Sequence, residues 1–248
     1  METSLAMEIL QHAMPYMPTP KSLPGICPLS IEDWLIVDEV FTLQMAERNR
    51  LLDAKRASVL KLLPDGEDAA EELLQFVLEW LAKYGADYKI GDNHVARPDG
   101  IAVKIRREDP LGTVGRLVQE DFCLIEKRGK EHVLTGAVLC FPASWSLEEK
   151  MNRSLSVIHN PVPEYDEGIA RRVQRLFDGV RVDKPIWRFN LLHYSDAGLF
   201  QPKGRTRENI ERKEGKKYLR SERQCILRMP KTRACIFSIH TYVLGNPD

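Results

Sequence analysis

What this sequence lacks narrows it first. No apolar run approaches the roughly 18 residues of a membrane span. The N-terminal stretch METSLAMEILQHAMPYMPTP has no basic residues ahead of its apolar ones, so neither an anchor nor a leader is expected. Net charge is absent too: 36 Lys+Arg balance 36 Asp+Glu, which removes the whole-molecule field that draws proteins to nucleic acid or anionic membranes. The five cysteines, Cys27, Cys123, Cys140, Cys225 and Cys235, form no CxxC pair. Their odd number is read as reduced thiols in a cytoplasmic protein. Neither HExxH nor a Cys/His zinc spacing occurs among the six histidines, and GxxxxGK[ST] and GxGxxG are missing. Zinc, nucleotide and dinucleotide sites thereby lose support, and iron–sulfur ligation lacks its clustered cysteines.

What is present is the makings of a globular chain, 248 residues with 43% hydrophobic and 29% charged, enough for a substantial core. Residues 1–30 carry Pro15, Pro18, Pro20, Pro24 and Pro28 and are expected to form an extended arm. From Ser30 the apolar residues Trp34, Val37, Val40, Phe41, Met45 and Leu51 recur near helical spacing, which predicts a helix with Ser30 and Asp33 at its start. A second helix is predicted between Asp65 and Gly85, with Leu73, Leu74, Val77, Leu78 and Leu81 on one face. The segments FCLIEK and HVLTGAVLCF flank the turn RGKE and predict two antiparallel strands. Two helices follow, the first opened by Ser146 and Glu149 in capping-box spacing. IWRFNLLHY, SERQCILRM and ACIFSIHTYV then give three more strands. This pattern is an α+β sheet with helices in its middle, preceded by a helical extension.

Two places invite chemistry. In SLSVIHNPVPEY, Pro161 and Pro163 stiffen the chain leaving His159, which suits a side chain aimed at a metal, a catalytic partner or a buried carbonyl. His132 lies beside a strand in the manner of a core histidine, and Cys27-Pro28 contains the dipeptide of thiolate haem ligands. The second place is the last hairpin. If Arg228 faces Cys235, then Glu222, Gln224, Ile226 and Arg228 share a face with Cys235, Phe237, Ile239 and Thr241. Such a face is either solvated or the wall of a pocket that orients a charged ligand.

The ordered segments EDFCLIE, LCFPASW, EEKMNRSLSVIHNPVPEY, WRFN, LRSERQCILRMP and IFSIHTY resemble the haem-dependent oxidative N-demethylase alpha-subunit family, once a domain family of unknown function. The resemblance runs from about residue 20 to 243. It implies one haem-binding, PAS-like domain over residues 31–248 that includes the helical pair 31–85, with residues 1–30 as the arm. It also implies haem b with one axial histidine, carried onto His159, with His193, His132 and Cys27 next in line. Arg188, Arg223 and Arg228 become candidates for the haem propionates, since guanidinium pairs bidentately with carboxylate. Glu222 becomes the candidate partner of a cationic amine or of proton delivery, completed by Gln224 and Tyr242. The implied reaction oxidises a small, dimethylamine-like secondary methylamine with O2 and electrons from a separate flavin or iron–sulfur reductase subunit, releasing formaldehyde. A haem-binding PAS-like sensor without turnover is the alternative. Two departures stand out: Leu191 where the family has Trp, expected to alter a pocket wall, and Asn152 where glycine is common.

Overall fold

The computed structural model describes residues 8–16, 25–159, 167–202 and 217–245. A seven-stranded antiparallel sheet runs β1-β8-β9-β10-β6-β7-β2 across the molecule. Its members are β1 (Cys27–Pro28), β2 (Leu60–Leu62), β6 (Asp121–Arg128), β7 (Glu131–Val138), β8 (Ile186–Tyr194), β9 (Tyr218–Arg228) and β10 (Cys235–Gly245). A small sheet joins β3 (Lys89–Ile90), β4 (His94–Ala96) and β5 (Ala102–Lys104). The α+β class expected from the order of elements is the class observed.

Alternation along the strands divides the core in two. One sheet face presents Phe122, Leu124, Cys225, Leu227 and Ile236 to α1 (Phe41–Ala54), α3 (Glu67–Tyr84) and α4 (Pro110–Leu117), with α2 (Arg56–Val59) leading into β2. The other presents Cys123, Ile125, Ile226, Cys235 and Ile239 to α5 (Leu147–Lys150), α6 (Leu155–His159) and α7 (Glu167–Gly179), through Leu147, Leu155 and Phe177. We call these the α3 face and the α6 face. The second predicted helix forms as expected, burying Leu73, Leu74, Val77, Leu78 and Leu81 and stopping at Gly85. Its Glu72 accepts the main-chain N–H groups of Lys231 (2.7 Å) and Thr232 (2.8 Å), which ties α3 to the β9–β10 turn. Ser146 caps α5 as its spacing predicts, accepting from the Glu149 N–H at 3.4 Å.

The first predicted helix starts later than its periodicity suggests. A 3-10 turn covers Ile31–Asp33, and α1 begins only at Phe41. The reason is tertiary. Arg223 takes the carbonyls of Asp33 (2.6 Å) and Trp34 (3.0 Å), while Glu120 and Gln119 accept the N–H groups of Ile36 (2.9 Å) and Asp38 (3.2 Å). The groups a helical turn would pair internally are satisfied from outside, so the chain stays extended there. Trp34 is buried all the same, with its indole N–H on Ser238 Oγ at 2.9 Å.

Asn152 has φ 58°, the left-handed region that glycine enters without steric cost and asparagine tolerates. This explains why glycine suits the position. The segment 152–154 runs beside β7, with Asn152 N–H on Leu134 O (3.0 Å) and Leu134 N–H on Arg153 O (3.1 Å), and so fixes where α6 starts. His159 is the last residue of α6; its side chain and residues 160–166, with Pro161 and Pro163, lie outside the described residues.

Candidate functional site

On the α6 face the ladders bring four polar side chains into a two-by-two array. Arg188 stands opposite Gln224 and Asn190 opposite Glu222 across β8–β9. On β10, Ile239 and Thr241 stand opposite Gln224 and Glu222. The hairpin register expected from Arg228 facing Cys235 is the observed one.

The array is wired in one sense. An arginine can only donate, so Arg188 Nη1, 3.2 Å from Gln224 Oε1, turns the Gln224 amide nitrogen toward Glu222, where it meets Oε2 at 2.9 Å. The Glu222 main-chain N–H donates to Asn190 Oδ1 at 2.9 Å and turns the Asn190 amide nitrogen onto the same Oε2 at 2.7 Å. Oε2 thus takes two amide donors, while Oε1 has no hydrogen bond among the described residues. Glu222 and Gln224 are buried, and Arg188 and Asn190 half-buried. Burial pushes the Arg188 guanidinium below its usual value, and the charge of Glu222 pulls back against that. Its Nε is sealed from solvent without a hydrogen-bond partner among the described residues, as is Thr241 Oγ1. A buried donor left unmatched on this face calls for an acceptor.

Period-two alternation separates the other sequence candidates. Arg223 and Tyr242 project from the α3 face. Arg223 holds the two carbonyls ahead of α1 and lies over the Trp187 ring at 5.3 Å. Tyr242 packs edge-on to Tyr16, which stacks on Phe189 and bonds Ser221 Oγ at 2.8 Å. Burial raises the Tyr242 hydroxyl, and raises that of Tyr16 to about 12. Leu191, opposite Ser221, also belongs to the α3 face. Arg228 lies on the α6 face, where its donors go to the carbonyls of Phe177, Val180 and Arg233, the first two at the end of α7. His132 is buried with Nδ1 on Gln174 Oε1 at 2.8 Å, His193 is exposed on β8, and Cys27 pairs with Trp187 through β1.

Sequence reasoning missed two groups. Asn190 was within reach, because WRFN read as a strand places it beside Arg188. The His240 cluster was not: its imidazole is buried between Glu120 (Nδ1, 3.0 Å) and Asp38 (Nε2, 3.1 Å), residues distant in sequence. Two surface clefts, one lined by Leu35, Trp80 and Tyr88 and one by Glu47, Asp196 and Tyr218, share no residue with the Glu222 array.

The model of the family described as haem-dependent oxidative N-demethylase, alpha subunit-like, matches residues 25–245. The chain belongs to this family. The match spans every strand and helix described above, from β1 to β10, so the family relationship covers both faces of the sheet. Among the described residues no three His, Cys, Asp or Glu side chains gather as a metal site, but an axial haem ligand requires only one. On the α6 face one feature suits a haem: Arg188 Nε, unmatched among the described residues, is a donor for a carboxylate, and it shares that face with the half-buried Phe237 and the buried Ile226 and Ile239. No helix among the described residues is long and apolar enough to cross a membrane.

Proposed function

We propose that this chain is the haem-carrying subunit of an oxidative N-demethylase acting on a small secondary methylamine such as dimethylamine. The observation that carries the reading is the Glu222 array: a buried carboxylate with one oxygen saturated by amides and the other left to a cation, on the sheet face packed by the helix that ends at His159. Bound haem b supplies the oxidation, in which dimethylamine, O2, two electrons and two protons give methylamine, formaldehyde and water.

The chain's own residues do the rest. His159, carried by α6, whose start is fixed against β7, would hold the haem iron. Arg188 is the propionate anchor of choice, because Arg223 and Arg228 spend their donors on main-chain carbonyls. Glu222 Oε1 accepts an N–H of the ammonium and orients its methyl groups, and Gln224 and Asn190 hold the carboxylate still. The Tyr242 ring backs the opposite side of the sheet. Electrons come from a separate flavin or iron–sulfur reductase subunit, in keeping with an alpha-subunit-like family.

The test is direct. Purified protein loaded with haem shows a Soret band that His159→Ala abolishes or shifts, and it releases formaldehyde from dimethylamine when given O2 and a flavin-based reductase. Haem binding without formaldehyde release under those conditions would assign the chain to the non-catalytic sensor class instead.

A further inference from the structure

Asn190 occupies an unusual position for a strand residue. Across β8–β9 it faces Glu222 and engages that one residue twice, receiving its main-chain N–H at 2.9 Å and donating to its carboxylate Oε2 at 2.7 Å. The first contact makes the second directional. An amide oxygen held by a main-chain donor leaves only the NH2 group to face the carboxylate, so the amide cannot flip without losing both bonds. The main chain of Asn190 is held as well, since its carbonyl accepts from Ser221 Oγ at 2.6 Å, and that hydroxyl also bonds Tyr16 at 2.8 Å. Asn190 is therefore braced from the α3 face while its side chain works on the α6 face.

Resting on the function proposed above, we infer that Asn190 is the positioning residue of the cation site: it fixes the Glu222 carboxylate so that Oε1 alone is offered to the substrate ammonium. Gln224 donates to the same Oε2, but its own orientation depends on the longer 3.2 Å contact with Arg188. The Asn190 brace is main-chain and the Gln224 brace is a side chain, so Asn190 is the stiffer support. The charged and titratable groups that sense Glu222 are Arg188 on β8, Cys123 on β6 and Tyr16 in the segment 8–16. Arg188 is the cation among them, and both Asn190 variants below keep it.

The inference is tested on the ligand-free and the haem-loaded protein by infrared spectroscopy of 13C-labelled glutamate carboxylates at neutral pH, with Glu222→Gln identifying the Glu222 band. Asn190→Leu removes the donor at nearly constant volume. Asn190→Asp keeps the acceptor for the Glu222 N–H and turns the donor into a like charge. Both are expected to shift the Glu222 carboxylate stretching band, because the carboxylate loses an amide donor in each. Calorimetric titration with dimethylammonium then shows a loss of about tenfold in affinity. A folded variant whose Glu222 band and dimethylammonium affinity match the native protein overturns the positioning role. If Asn190→Leu does not fold, Asn190→Asp decides alone. Native protein that binds no dimethylammonium, while the Glu222 band still shifts in the variants, would instead overturn the amine reading and leave the positioning role standing.

Discussion

Arg223 Nη1 lies 3.0 Å from the main-chain oxygen of Trp34, on the sheet face opposite Glu222. One strand thus serves two purposes in consecutive residues. Glu222 faces the proposed ligand space, and Arg223 organises the chain ahead of α1. Arg223→Leu is expected to lower stability by about 2 kcal/mol, because it leaves two buried carbonyls without their charged donor. Haem content of the folded fraction should stay unchanged. Thermal unfolding followed together with the Soret band separates the two effects, and loss of haem from a fully stable variant would place Arg223 at the cofactor.

Glu222→Gln removes the charge at nearly constant shape. Haem loading should persist, while methylammonium affinity falls by about 2 kcal/mol, roughly thirtyfold. Spectral titration of native and variant protein measures this, and equal affinities would make Glu222 a structural residue.

His240 gives stability a pH dependence. Burial works to lower its value, but hydrogen bonds to Asp38 and Glu120 and their charges outweigh that and hold it at about 9, against 6.5 ordinarily. A group raised in the folded state stabilises fully below the unfolded value, so this contribution is complete below pH 6.5 and is lost as pH rises through about 9. Denaturant melts across this range should show the decline. His240→Gln should flatten it and cost about 3 kcal/mol at neutral pH, since two buried carboxylates lose their cation. Gln11 and Gln119 also bond Asp38, so the loss is expected to loosen the segment around Gln11 first, readable by hydrogen exchange.

Asn152 tests the backbone. Asn152→Ala at φ 58° should cost about 1 kcal/mol, while Asn152→Gly should match or exceed native stability apart from the lost contact with Arg128 at 2.7 Å. Chemical denaturation of the three proteins ranks them, and an alanine variant as stable as the glycine one would contradict the left-handed geometry.

Leu191 was expected to alter a pocket wall, yet its alternation places it on the α3 face, opposite Ser221 and away from Glu222. Leu191→Trp should therefore leave the order of amine affinities unchanged and alter the packing around Tyr16 instead. A panel of mono-, di- and trimethylamine titrations checks this, and a reordered panel would show that the position shapes the ligand space.

Much of this arrangement was written locally. The hairpin register, the face shared by Glu222 and Gln224, the stop of α3 at Gly85 and the Ser146 cap follow from period two, turn chemistry and capping, each needing only a few neighbouring residues. Alternation also held Arg223 and Tyr242 apart from Glu222, a separation legible in the strand pattern alone. The late start of α1 was not legible, because the groups that interrupt it, Arg223, Glu120 and Gln119, lie at least 81 residues away along the chain from the positions they bond.

The sequence by itself determined the family, the α+β order of elements and the composition of each strand face, since these depend on residue types at short, regular spacings. Only the tertiary structure decided which polar residues would meet. Asn190 reaches Glu222 because β8 pairs with β9 in one register, and His240 is gripped by Asp38 and Glu120 because two distant segments pack on one strand. A buried polar group must find a partner or incur the cost of desolvation, and which partner it finds is a property of the packed chain.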